Sequence, residues 1–279
     1  MKSKNLLIFS VLLSIGFLYA YRNNTSENTT TTVEVNGNTV ATRFGVPNGF
    51  ERTNEGTNSF GAFLRNLPLK KVGSLVKYYD GDNKDDAAYI AVVDLPIGNK
   101  DLHQCADAVM RLRAEYLYKQ KQYDKIHFNF TNGFRVDYTK WAEGYRIAVK
   151  GNKTSWVKKA KPDYSAKEFW NYLEQIFLYA GTASLEKELK PVASVDAIQI
   201  GDVFIKGGFP GHAVIVVDVA QNKQGKKVMM LAQSYMPAQE LQILKNPNNA
   251  SKSPWYDVNF GETLITPEWT FKKSHLKRF

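Results

Sequence analysis

The stretch GDVFIKGGFPGHAVIVVDVA, Gly201 to Ala220, reads as a strand, a Gly/Pro-rich turn and a second strand that opens at a histidine. After His212 the run AVIVV is continuously apolar instead of alternating, the pattern of a strand covered on both faces. The turn QNKQGK then leads into VMMLAQSY, Val228 to Tyr235, which returns as a hairpin partner. Consecutive strands joined by short loops make an antiparallel sheet, and the helical patterns found elsewhere in the chain make the fold class α+β.

An imidazole at a strand start is often a hydrogen-bonded structural residue, so His212 acquires a chemical role only with a partner. The nearest acid on its own strand, Asp218, is excluded: six residues of strand span roughly 20 Å. If the turn between Gln221 and Lys226 closes symmetrically, His212 falls opposite the region from Gln233 to Tyr235, and Gln233 is placed to orient the ring.

The chain holds one cysteine, Cys105, so it forms no internal disulfide. An unpaired thiol in an exported protein is intermolecular, reactive, or a small inert hydrophobe. Cys105 lies in DLHQCADAVMRLRAEYLYKQKQY, Asp101 to Tyr123, where Leu102, Cys105, Val109, Leu112 and Tyr116 recur at helical spacing while Asp107, Arg111 and Arg113 fall mostly off that stripe. Asp101 with Gln104 fits a capping box, which puts Cys105 in the first or second turn, where unpaired N–H groups and the dipole lower a thiol's pKa. A cysteine at a helix start facing a histidine and its orienter is what a thiol hydrolase requires. The same stripe equally describes a packed core residue, and both readings stand at this point.

Two further helices are predicted. One starts in SFGAFLRNLPL, capped by Ser59 and ended by Pro68; the other is YSAKEFWNYLEQIFLYAG, with a Ser165–Glu168 capping box and Gly181 as its stop. The second presents Phe169, Leu173, Ile176, Phe177 and Ala180 as an apolar face. LVKYYDG, running into a turn at Asp80-Gly81, AAYIAVVDLPI, IHFNF, GFRVDY and GYRIAV read as strands, the last three broken by TNG and KWAEG. No internal repeat appears, and no spaced Cys/His cluster calls for zinc or another cofactor.

With 279 residues, 43% hydrophobic and 13% aromatic, the chain can bury a substantial core. Its first twenty residues, with Lys2, Lys4, an apolar run from Leu6 and a cleavable end at Ala20, read as a signal peptide, with an uncleaved anchor as the alternative. No cysteine follows that run to accept a lipid. Residues 21–43 are Asn/Thr-rich and suit a polar tether, leaving 44–279 as a single domain. The net charge of +10 is scattered, without a basic block, which argues for a solvated surface and against a nucleic-acid partner.

GDVFI at 201–205 followed by GHAVIVVD at 211–218 resembles the paired-strand signature of NlpC-type papain-like cell-wall hydrolases. That resemblance implies Cys105 as nucleophile, His212 as base and Gln233 as the polar third residue, with a peptide or cell-wall glycopeptide as substrate in a bacterial envelope. The long separation of Cys105 from His212 then implies an insertion supplied by residues 127–190. Across its whole length, through QCADAVMRLRAEYLY and GDVFIKGGFPGHAVIVVD, the chain is similar to an uncharacterised family of exported bacterial proteins, a domain of unknown function. The alternative from another class is a non-catalytic envelope binding module whose cleft is lined by Trp141, Tyr145, Trp156 and Trp255.

Overall fold

The computed structural model of the protein describes residues 30–279. The expected signal peptide and residues 21–29 of the expected tether lie outside the described residues. In chain order the strands are β1 (Phe50–Arg52), β2 (Tyr89–Val92), β3 (His127–Asn129), β4 (Arg135–Asp137), β5 (Tyr145–Lys150), β6 (Lys153–Lys158), β7 (Lys190–Pro191), β8 (Val203–Lys206), β9 (His212–Asn222), β10 (Lys227–Gln233), β11 (Gln242–Leu244), β12 (Trp255–Asp257), β13 (Thr263–Ile265), β14 (Thr270–Lys272) and β15 (Leu276–Arg278).

The central sheet is antiparallel in every pairing, ordered β2-β11-β10-β9-β8-β15-β7, with β1 added to β9 and β12 added to β10. Its two long strands each serve two neighbours on one edge. β9 pairs with β8 through His212 to Ile215 and with β1 through Ala220 to Asn222. The pairing of β9 with β10 skips Val217, passing from Met230↔Asp218 to Leu231↔Val216, and this bulge marks where the sheet turns from one set of partners to the other. The first nine residues of β9 are all buried, as the unbroken apolar run requires.

The Cys105–Lys119 helix packs against β9. It is buried nearly all round: Asp107 and Arg111, expected off the apolar stripe, are 6% and 4% exposed. Arg111 is accommodated because its guanidinium donates to the Pro96 carbonyl and Glu115 and lies over the Trp170 ring. The capping box also sits three residues further along than Asp101–Gln104. Gln104 is the N-cap, and its N–H donates to Asp107 Oδ2 at 3.0 Å, so Cys105 is the first helical residue. Asp101 instead accepts from Gln104 Nε2 and from the Ala238 N–H.

Residues 123–188 contribute no strand to the central sheet. They form the hairpins β3–β4 and β5–β6 and the helices Tyr138–Ala142, Ala166–Tyr179 and Thr182–Glu188. Ser165 caps the Ala166–Tyr179 helix by accepting from the Glu168 N–H. KWAEG, expected as a break between strands, is the end of a short helix, and KTSWVK is a strand that the exposed, Lys-rich sequence concealed.

Two other expectations are corrected. LVKYYDG forms no strand; its backbone makes only isolated bridges, Lys77↔Asn83 and Tyr78↔Gln239, around the turn at Gly81. The described part of the expected tether is structured: Val33 bridges Phe44, a Thr39-capped turn of helix spans Val40–Arg43, and Val40 and Arg43 are buried. Short polar residues there supply caps, which composition alone reads as looseness.

Candidate functional site

His212 is the first residue of β9, and Gly211 before it is required by space. A Cβ at Gly211 would stand 2.6 Å from the Gly208 carbonyl oxygen and 2.7 Å from that of Lys206. Only glycine lets the loop fold that tightly onto the strand start. The His212 ring is 1% exposed and is walled by aromatic rings, with centroids of Tyr235, Trp269 and Phe271 at 4.7, 5.4 and 5.9 Å.

Beyond the bulge, the register Ala232↔Ile215 makes Tyr235 the residue across from His212 and Gln233 its diagonal neighbour on the same face. The hydrogen bond follows: His212 Nε2 and Gln233 Oε1 are 2.8 Å apart. Ser234 points to the other face, where its hydroxyl donates to the carbonyls of His103 and Gln239.

Cys105 is the first residue of the helix that packs against β9, the strand that His212 opens. The backbone of Ala213, Ala106 and Cys105 itself acts to lower the pKa of the Cys105 thiol. That effect is outweighed. Burial, with the Asp107 carboxyl adding to it, pushes the thiol up to about 11. Burial likewise drives His212 down to about 4, against the bond to Gln233 and with the nearby Lys84 cation. At rest the thiol and the imidazole are therefore both neutral, and both are shielded from water.

The sequence reading missed the groups behind Gln233. Its Nε2 donates to Glu268 Oε2 at 2.5 Å, and Lys84 Nζ holds both oxygens of Glu268 at 2.7 and 2.9 Å. Glu268 stands in the turn between β13 and β14, a turn closed by Thr266 donating twice to the Trp269 carbonyl. Lys84 is 2% exposed and lies 3.1 Å from Asp86. No local pattern announces either residue, because each reaches the site from more than thirty positions away in sequence.

Asp218, excluded as a partner of His212, is fully buried between two guanidinium groups, Arg52 at 2.6 Å and Arg65 at 2.7 Å. The four aromatics expected to line a binding cleft do not come together at this site. Trp255 is a core residue whose indole N–H donates to the Gly45 carbonyl, and Trp141 is buried with its N–H on Glu168. Tyr145 and Trp156 lie on the β5–β6 hairpin, with Lys140 over both rings.

Among the described residues no helix is long and apolar enough to cross a membrane. No curated protein and no solved structure matches the chain. A family model described as "Domain of unknown function (4846)" matches residues 40–278, nearly the whole described chain, from the first buried turn of helix to the last strand, and the protein belongs to that family.

Proposed function

We propose that the protein is an exported cysteine hydrolase of peptide or amide bonds, built on a papain-like, NlpC-like core in which residues 123–188 are the insertion. The observation that supports this reading is the bond between His212 Nε2 and Gln233 at the start of β9, the strand against which the helix opened by Cys105 packs. With Nε2 occupied, Nδ1 is the nitrogen left to act as base. The neutral imidazole takes the thiol proton as the sulfur attacks the carbonyl carbon, in the manner of a general base assisting a nucleophile. The backbone N–H groups at the helix start receive the developing oxyanion. The proton then passes to the departing amine, leaving a thioester that water hydrolyses with the same histidine as base. The substrate class is cell-wall peptide in the bacterial envelope.

Incubating the protein with peptidoglycan peptides tests the reading. Release of new amino groups, lost in Cys105→Ala and in His212→Ala, is expected; binding of the same peptides without any release sinks it. That second outcome is the non-catalytic binding module. It is favoured by one observation: Cys105 and His212 are only 7% and 1% exposed, and both are neutral at rest.

A further inference from the structure

The chain of bonds behind His212 fixes which ring nitrogen carries the proton, and it does so from Glu268. A carboxylate is an acceptor only, so Gln233 can meet Glu268 at 2.5 Å only with its amide NH2. That orientation turns the amide oxygen toward His212 at 2.8 Å, and an oxygen there accepts only from a protonated Nε2. Lys84 completes the constraint. Its ammonium donates to both Glu268 oxygens, which keeps the carboxylate in place. We infer that Glu268, held by Lys84, is a positioning residue that locks His212 in its Nε2–H tautomer by forbidding the Gln233 amide to flip, so that Nδ1 keeps its lone pair.

This inference rests on the reading of His212 as a base for its importance, though the lock is a property of the bonds themselves. The opposite tautomer, Nδ1–H, would point a donor away from Gln233 and leave no basic nitrogen for the thiol. An ordinary structural histidine needs no such constraint, since either tautomer fills the space between Tyr235 and Trp269.

The test is nitrogen-15 NMR of the ring nitrogens in the full chain, which has four histidines, with His212 assigned by its absence in His212→Gln. The wild-type protein is expected to show a single neutral tautomer with the proton on Nε2. In Glu268→Gln the side chain is a near-isostere that can itself donate, Gln233 is free to turn, and the single tautomer is expected to be lost or inverted. A wild-type ring protonated on Nδ1, or an unchanged Nε2–H ring in Glu268→Gln, overturns the lock. The wild-type spectrum decides even if the variant does not fold. Iodoacetamide labelling of Cys105 in the same two proteins separates the two claims: a tautomer that moves without loss of labelling keeps the lock and removes the hydrolase.

Discussion

The strands β9 and β5, the latter the first strand of the β5–β6 hairpin, are both apolar enough in sequence to be read as strands, yet they build opposite environments. Of eleven residues in β9 the first nine are buried, whereas no residue of β5 or β6 is fully buried. The difference lies in what surrounds them: β9 has sheet neighbours on both edges and the Cys105 helix over it, while β5 and β6 pair only with each other. Only the first environment can hold a histidine, a glutamine, a carboxylate and a lysine in one chain of bonds away from water, where such bonds are strong and their loss is costly.

The largest effect expected from that contrast is at Asp218. Replacing it by Ala leaves Arg52 and Arg65 facing an emptied apolar site, and a loss of about 3–5 kcal/mol in urea unfolding is expected, as for other broken buried pairs. A loss below about 1 kcal/mol would mean that water reaches this part of β9 as freely as an exposed pair. Next come matched truncations in the two regions. Ile215→Ala, in a fully buried position, should cost about 2–5 kcal/mol. Val149→Ala, at a position 38% exposed on β5, should stay within about 0.5 kcal/mol.

β9 and the segment 123–188, which contains the β5–β6 hairpin, should also respond to pH with opposite signs. His212 is held near 4, below its usual 6.5, so the native state binds fewer protons than the unfolded one; its contribution is present above pH 6.5 and lost as pH falls toward 4. The stability of His212→Gln relative to wild type should therefore improve by about 1.4 kcal/mol per pH unit across that window. In the segment 123–188, burial pushes Glu188 from 4.5 up to about 7 although its carboxylate accepts from the Asn129 N–H. Here the native state holds the proton longer, so stability falls as pH rises from 4.5 through 7. Glu188→Gln should be the more stable protein above pH 7, with the advantage gone by pH 4.5; an advantage that does not change with pH would mean the carboxyl is solvated.

Much of the sheet was legible because its signals are local. The run HAVIVV, the short QNKQGK turn and the Gly-His junction specify β8, β9 and β10, and symmetry of the turn was enough to bring Gln233 to His212. Ser59 and Ser165 each announced a helix through the hydroxyl that caps it. What stayed hidden is long-range. The Arg52–Asp218–Arg65 cluster, and Lys84 and Glu268 behind Gln233, join residues whose neighbours in sequence carry no periodicity pointing to them. Arg111 and Asp107 were assigned to the wrong side of their helix because an amphipathic stripe identifies one buried face and cannot report that a second layer, led by Trp170, covers the other.

The central claim, that a neutral His212 serves the Cys105 thiol as its base, is tested most directly by the pH dependence of iodoacetamide labelling in the wild type and in His212→Ala. A thiol raised to about 11 by burial would by itself react only in alkaline solution, and His212 is unprotonated down to about 4. Labelling of the wild type should thus persist through neutral pH and fail only as His212 takes up its proton, while the variant reacts in the alkaline range alone. Labelling that rises only at alkaline pH in both proteins would contradict the account and leave Cys105 a packed core residue.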